Sequence, residues 1–559
     1  MSGFMNLLLI FGAIWLPLMC GIPDLAGAQN LSEFSAEFFA GSGVCARCHT
    51  SLQDSAGNNV SIDADWRSTM MANSAKDPFF LAKVSSELAR FPALKEVIEN
   101  KCATCHMPMA RTQATADGSP VSIFGEGFLD LNHELYHAAR DGVSCTLCHQ
   151  IMNIQLGEHE SFSGKYVVDF IRQSPERWIH GPFPQPFTNN MRLNAGFTPV
   201  HAEHISEARL CSTCHVLYTP VIDESGSVVG EFPEQTVYLE WEHSDYGDPS
   251  GINRTCQDCH MPDAAGGVVL SQAPRNLSPR SPFGKHYFAG GNNFMLSILD
   301  RYAGDLEVTA GVGHFTATQD RTISQIQHNA ATVDIEKAEI NDGTLEAEIV
   351  IETKVGHKFP SGFPSRRLWV HLFVLNGNHT LIFESGLPSD DGSIVGNNAD
   401  ENPTLFESHF DVITQADQVQ VYEAIMQDLR DAPTYALLLA SSYAKDNRLL
   451  PIGFDKRSAA TDIAVSGHAV DDINFVAGGD RILYRIDVSG HDGPFTVQAK
   501  LLYQTVSYSF MKDLEQEDTS QIVRMSQYFQ SADPKYVEVG MARREEIYAN
   551  THIPTWKVR

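Results

Sequence analysis

Cys45-Ala46-Arg47-Cys48-His49 is the first of five stretches with one spacing in this 559-residue chain. The others are Cys102-Ala103-Thr104-Cys105-His106, Cys145-Thr146-Leu147-Cys148-His149, Cys211-Ser212-Thr213-Cys214-His215 and Cys256-Gln257-Asp258-Cys259-His260. Ten of the 11 cysteines fall in these stretches, and the remaining one is Cys20. Paired cysteines alone fit disulfides, zinc knuckles or thioredoxin-like redox pairs. None of these explains a His directly after all five pairs. His makes up 22 of 559 residues, so five chance placements have a probability of roughly 10⁻⁷ for this pattern. Zinc sites also want pairs matched to each other at regular spacing.

C-x-x-C-H is the attachment pattern of c-type haem. Two thiols add to the haem vinyl groups, and the adjacent His reaches the iron from one side. The sequence therefore predicts five haem c groups. Their attachment residues are Cys45, Cys48, Cys102, Cys105, Cys145, Cys148, Cys211, Cys214, Cys256 and Cys259. The proximal ligands are His49, His106, His149, His215 and His260. Successive motifs start 57, 43, 66 and 45 residues apart, which argues against a solenoid of identical units. The span from Cys45 to His260 gives about 43 residues per haem. At that density the haems replace much of the hydrophobic core and lie close to one another.

Lys and Arg number 40 against 69 Asp and Glu, a net charge of −29. With 43% hydrophobic and 19% charged residues, the composition excludes collagen-like and wholly disordered chains. The acidity argues against nucleic acid as a partner, because phosphate binding needs clustered Lys and Arg. It favours redox partner proteins with a basic docking face. Residues 6–20 form an apolar run, too short for a confident transmembrane span, followed by Ala26-Gly27-Ala28. This reads as a signal peptide over residues 1–28. A lipid anchor on Cys20, or a retained membrane anchor, is the alternative. The mature chain is expected to be exported, periplasmic or cell-surface, without a stable membrane span.

Residues 29–265 are expected to form a mainly α/coil multihaem cytochrome c domain, and 266–330 a connector. From about residue 331 the pattern changes to period two. Leu345, Ala347, Ile349 and Ile351 alternate with charged residues, and Leu368, Val370, Leu372 and Val374 repeat the alternation, as do Phe495, Val497, Ala499 and Leu501. This predicts an all-β sandwich over 331–515. Residues 516–559 are expected to form a short C-terminal helical segment.

The second axial position of each iron separates electron transfer from ligand chemistry. His204 stands seven residues before Cys211. His133 and His137 are one helical turn apart, ahead of the third motif. These three are candidate distal ligands. His159, His180, His243, His286, His314 and His328 form a second group.

The five motifs, with Cys102 to Pro108 and Cys256 to Pro262 each reading C-x-x-C-H-M-P, resemble the cytochrome c-552/4 (cytochrome c554-like) family of exported multihaem cytochromes. The resemblance covers residues 40–265. It implies that a W-x-x-S-x-H stretch supplies a distal His. Trp66-Arg67-Ser68-Thr69-Met70-Met71 is similar, with Met71 in the His place. Trp241-Glu242-His243-Ser244-Asp245-Tyr246 is a second echo, ending in Tyr246. Gly356-His357-Lys358-Phe359-Pro360-Ser361-Gly362 resembles a turn in appended β-domains whose His reaches back to a haem, so His357 joins Met71 as a candidate distal ligand. There is no C-x-x-C-K motif of pentahaem nitrite reductases, and there are five motifs rather than the eight of hydroxylamine oxidoreductases. The expected function is single-electron transport along the haem chain. The alternatives are an oxidoreductase acting on a small nitrogen or sulfur compound at one open haem, and a homo-oligomeric or filament subunit.

Overall fold

The computed structural model describes residues 31–274 and 276–548. The proposed signal peptide and Cys20 lie outside these residues. The first long helix, Pro78–Arg90, is set by local chemistry. Asp77 accepts from the backbone N–H groups of Phe79 and Phe80 at 2.8 and 3.3 Å, Pro78 takes the first turn, and Pro92 stops the helix. The next helix, Lys95–His106, ends on the second motif. Met107 leaves the helical region (φ −133°), and Pro108 opens the helix Pro108–Asp117. A residue before proline is pushed out of the α region, so C-x-x-C-H-M-P fixes a helix end at its His.

The haem-motif region is not mainly helix and coil. Short strands β1 (Trp178–Gly181) and β2 (Thr198–His201) pair in parallel, and β3 (Leu217–Ile222) and β4 (Val228–Gln235) form a hairpin directly after the fourth motif. Pro199, Pro220 and Pro233 lie inside these strands and weaken their sequence signal. The molecule is a mixed α/β multidomain protein with 28% helix and 22% strand, which corrects the expected mainly α/coil class.

The remaining strands are β5 (Ala331–Asn341), β6 (Thr344–Thr353), β7 (Arg367–Leu375), β8 (Leu381–Ser385), β9 (Val412–Ile413), β10 (Val421–Gln427), β11 (Ser442–Asp446), β12 (Gly479–Asp487), β13 (Phe495–Gln504) and β14 (Val537–Ile547). One sheet runs β11-β10-β7-β13-β14, with β8 pairing the far end of β7; the other runs β5-β6-β12-β9. Their facing sides form one core that includes Leu345, Ala347, Ile349 and Ile351 from one sheet and Val370, Leu372, Val374, Val497, Ala499 and Leu501 from the other. Strand β7 is buried on both sides, because Trp369 packs into a second small cluster behind it.

The C-terminal segment is only partly helical. The helix Ser520–Ser531 is followed by β14, which extends the first sheet along β13. Charged residues at Arg543, Arg544, Glu545 and Glu546 suit an exposed edge and hide the alternation of Val537 and Val539. The connector holds two helices, Asn293–Arg301, where the sequence allows a short helix near Met295 to Tyr302, and Val312–Asn329.

The two regions share a core. Ala82 of the first helix packs with Phe294, Phe510, Ile522, Met525 and Phe529. Arg90 pairs with Asp513 at 3.0 Å and Glu517 at 3.3 Å. No helix among the described residues is long and apolar enough to cross a membrane.

Ile349→Ala, in the centre of the sandwich core, is expected to cost about 2–5 kcal/mol. Glu346→Ala removes only the partly exposed contact with Arg485 at 3.1 Å and is expected to cost less than about 1 kcal/mol. Denaturant titration followed by near-ultraviolet circular dichroism checks the ratio. Equal costs would count against the assigned register.

Candidate functional site

Each motif sits on or at the end of a helical turn: Ser42–Ala46, Lys95–His106, Cys145–Cys148, Ala208–His215 and Cys256–His260. Positions i, i+3 and i+4 share one helix face, so the spacing presents two thiols and one imidazole to the same side. The last helix is fixed by a capping box. Thr255 Oγ1 accepts from the Asp258 N–H at 3.3 Å, and Asp258 accepts from the Thr255 N–H at 2.7 Å.

All ten motif cysteines and all five motif histidines line one cavity of 2370 Å³. A pocket for one small ligand spans about 300–1,000 Å³, so this space suits several large groups. None of the ten thiols is in a disulfide. Thiols of different motifs meet instead: Cys45 is within hydrogen-bonding reach of Cys145, Cys105 of Cys214, and Cys211 of Cys256. The attachment points are therefore neighbours in an order that differs from chain order. The first adjoins the third, and the second and fifth both adjoin the fourth.

Four of the five motif imidazoles are held in one tautomer. Nδ1 of His49 meets the Leu270 carbonyl at 2.7 Å, His106 that of Ser74 at 3.2 Å, His149 that of His180 at 2.6 Å and His260 that of Ala289 at 2.6 Å. A carbonyl only accepts, so Nδ1 carries the proton and Nε2 keeps its lone pair. Burial pushes His106 and His215 down to about 4 and lowers His49, His149 and His260. Neutral imidazole is the metal-binding form.

Two motif histidines are faced by a second imidazole. His149 and His286 have ring centres 6.4 Å apart and planes within 21°; His260 and His357 are also 6.4 Å apart, within 14°. Stacked rings in contact would be much closer. A nitrogen about 2.0–2.1 Å from a metal puts its ring centre roughly 3.2 Å away, so two coaxial ligands have centres roughly 6.4 Å apart. The spacing leaves room for one metal ion between the rings. His357 Nδ1 bonds to the Lys358 carbonyl at 2.9 Å, which again frees Nε2. Among the described residues, no such parallel imidazole faces His49, His106 or His215. The ring of Phe80 lies 3.6 Å from that of His106 in a stacked contact.

Met71 lines the cavity. His204 is buried, with Nε2 2.8 Å from the Ile151 carbonyl and its ring 5.0 Å from that of His180. His133 Nδ1 accepts from the Leu135 N–H at 3.1 Å, and His137 is exposed; neither lines the cavity. His180 lines the cavity, and its Nδ1 has no partner. His159 is exposed, His243 meets the Asp455 carbonyl at 3.2 Å, His314 accepts from Gly311 at 3.1 Å, and His328 bonds within its own helix. The structure therefore brings His286 and His357 to motif histidines and leaves His133 and His137 outside. His286 is 137 residues after His149 (286 − 149), so no local spacing singles it out.

Arg47, Arg254, Arg280 and Arg366 also line the cavity and suit anionic groups on its occupants. Arg367, by contrast, is taken up by Asp400, Gln504 and Gly392 inside the sandwich. A separate cluster, His409, Asp472 and Asp480, has metal-like proximity. Its chemistry argues otherwise. Gln420 and Asn447 both point amide nitrogens at His409 Nδ1, at 2.9 and 3.0 Å. Their oxygens are fixed by the N–H groups of Phe410 and Glu423. Nδ1 is thus the acceptor, and Nε2 carries the proton donated to Asp472 at 3.0 Å. That leaves no lone pair for a metal.

No protein-family model matches the chain, and no curated protein does. Among solved structures it is similar to a crystal structure of a penta-heme cytochrome c552 from Thermochromatium tepidum, at 15% identity and a TM-score of 0.50. The match covers 90% of this chain and 98% of that one. At this identity the likeness is one of fold, and it relates the chain's architecture to that of a multihaem c-type cytochrome.

Gly164 joins two motifs. Its N–H meets the Thr213 carbonyl at 2.5 Å, its φ is +74°, and a Cβ would lie 2.1 Å from Thr104 Cγ2. Gly118 has a similar φ of +69° with nothing within 4 Å. Gly118→Ala is expected to cost about 1 kcal/mol of backbone strain. Gly164→Ala adds steric overlap and is expected to lower the melting temperature at least twice as far in a side-by-side thermal scan.

Proposed function

We propose that the chain is an exported pentahaem c-type cytochrome that moves single electrons through five covalently attached haems. One observation carries the reading: five C-x-x-C-H turns aim ten cysteine thiols, none in a disulfide, and five neutral imidazoles into a single cavity of 2370 Å³. The donor set fits haem c. Each turn offers two thiols for thioether bonds and an imidazole nitrogen for iron, and His286 and His357 are the candidates for a second ligand to the irons that His149 and His260 would hold. When bound, haem iron supplies the one-electron redox change. The protein holds four of the imidazoles through Nδ1 to backbone carbonyls and offers arginines for the propionates. The thiol contacts support a path in which the fourth site lies between the second and the fifth, with the first and third as a further pair. The leader that would direct export lies in residues 1–28, and Met71 is a candidate ligand of one remaining iron.

A second reading is an oxidoreductase with one open haem. It is favoured by the three motif histidines without a parallel imidazole. Glu234 adds to it: the carboxyl lines the cavity, burial pushes it up to about 7, and Oε2 has no partner.

Expression with the c-type maturation machinery, followed by mass spectrometry and haem quantification, tests the main reading. Five haems are expected, and replacing both cysteines of any one motif with Ala should leave four. Retention of all five in such a variant, or free thiols in the mature protein, would defeat it. Reduced protein exposed to carbon monoxide separates the two readings. Binding at no haem supports pure electron transfer, and binding at one or more supports the second. With a net charge of −29, electron transfer from a basic small redox protein is expected to slow at least tenfold between 10 and 300 mM salt. Stopped-flow kinetics checks this.

A further inference from the structure

The loop that carries His357 belongs to the sandwich, yet its conformation is dictated by residues of the motif region. Glu240 is fully buried on the short helix Val237–Glu242, just ahead of the fifth motif. One carboxylate oxygen accepts from the Lys358 backbone N–H at 3.0 Å. The other accepts from Thr236 Oγ1 at 3.0 Å and pairs with Arg448 at 2.9 Å. Arg448 in turn makes a forked pair with Asp446 at 2.7 and 2.8 Å, and Asp446 receives Lys358 Nζ at 2.7 Å. The four charges balance, two of each sign, and all four side chains are buried. Lys358 is thus fixed at its N–H and at its ammonium, and its remaining backbone group, the carbonyl, receives His357 Nδ1. The stretch Trp241 to Tyr246 completes the clasp. Ser244 Oγ donates to the Gly356 carbonyl at 3.1 Å, and Tyr246 Oη donates to that of Lys354 at 2.5 Å. A Cβ at Gly356 would lie 2.8 Å from the Tyr246 ring, so the loop rests directly on this stretch.

We infer that Glu240 is a positioning residue: through Lys358 it sets the tautomer and direction of His357 and so determines whether the sandwich supplies the second axial ligand to the iron held by His260. The inference rests on the pentahaem reading and on His357 as ligand, and it adds the residue that controls the ligation. An imidazole oriented by a fixed backbone acceptor is a stronger ligand than a freely rotating one. Removing Glu240 leaves Arg448 buried with half of its partners and frees the Lys358 N–H, so the loop loses its reference to the motif region. The helix carrying Glu240 and the fifth motif are 14 residues apart (256 − 242), so the clasp and the proximal side of that haem move together.

The test uses the full-length holoprotein and three variants: His357→Ala, Glu240→Ala and Glu240→Gln. Carbon monoxide stoichiometry, the ratio of high- to low-spin iron by electron paramagnetic resonance, and potentiometric titration are read on each. His357→Ala should open one of the five haems to carbon monoxide, and added imidazole should restore the low-spin signal. Glu240→Ala should open the same haem, with a carbon monoxide association rate at least tenfold above wild type and a shifted potential for that haem alone. Glu240→Gln keeps an acceptor for the Lys358 N–H and should retain most of the low-spin signal, which a merely structural role would not require. If His357→Ala opens no haem, the ligand assignment itself is wrong. If His357→Ala opens one while Glu240→Ala, with five haems attached, stays closed at an unchanged potential, the positioning role is overturned and the ligand assignment stands. Where Glu240→Ala does not mature, Glu240→Asp keeps the buried charge but, one methylene shorter, withdraws the acceptor from the Lys358 N–H. It is expected to raise the association rate at least threefold, and no change would overturn the inference.

Discussion

Everything in the motif region depends on one geometric constraint: residues i, i+3 and i+4 of a helical turn face the same way. Five such turns point into one space, and the chain between them is arranged so that their thiols nearly touch. A region built like this cannot close an ordinary hydrophobic core. Its packed clusters sit around the cavity, as with Phe80, Val84, Met107 and Met109 beside the second motif. The occupants of the cavity must therefore contribute burial that side chains do not. This explains the short helices, most of four to ten residues, which lack the length to be stable alone. It also explains why backbone carbonyls of distant segments, such as Leu270 and Ala289, are brought to the motif imidazoles. Tautomer control is exerted by loops, and loops have no periodicity to read.

What was legible in the sequence follows the same division. The motifs announce themselves because the chemistry needs fixed residue types at fixed spacing. The sandwich core was legible at Leu345 to Ile351, where a strand buried on one face forces a period of two, and at Leu368 to Val374, where aliphatic residues alternate with Trp369, His371 and Phe373. Strand β14 was not, because its edge position tolerates the run Arg543-Arg544-Glu545-Glu546. Strands β1 to β4 were not, because β1 and β2 have four residues each and β2, β3 and β4 carry prolines. His286 and His357 lie 137 residues (286 − 149) and 97 residues (357 − 260) beyond the motif histidines they face. No local rule connects residues at that distance. His133 and His137 satisfy a local rule, helical spacing, but His133 precedes the helix Tyr136–Arg140 and packs against Phe128, and His137 is exposed on that helix.

The buried network at Glu240 bears on why charge is spent inside this protein. Burying four ionised groups is costly, and a well-packed apolar substitute is often as stable. Their retention at the one place where a sandwich loop meets a motif imidazole fits a role in geometry more than in stability. An apolar contact would hold the two regions together without fixing rotation about the loop, whereas Lys358, held at its N–H and ammonium, presents its carbonyl in one direction. The nearby Lys83–Glu87 pair at 2.8 Å plays a comparable part on the opposite side. Lys83 bonds the Tyr435 carbonyl and Glu87 the Leu437 N–H, so the first long helix is tied to a sandwich loop by charge-assisted bonds.

These ties change how the sandwich should be understood. A separately evolved attachment would meet the motif region through a polar, replaceable interface. Here Ala82 shares a core with Phe510 and Met525, Arg90 reaches Asp513, and His357 faces His260. The likeness to the penta-heme cytochrome fold points the same way. It spans 90% of the chain, and the sandwich with its C-terminal strand occupies residues 331–548, well over a third of it. A match confined to the motif region could not reach that coverage. The two regions are thus one architecture, in which the sheet domain supplies His357, a clasp and part of the core. Separating them would expose the His260 side of the cavity to water, so the joint between the regions is where solvent access to the fifth site is decided.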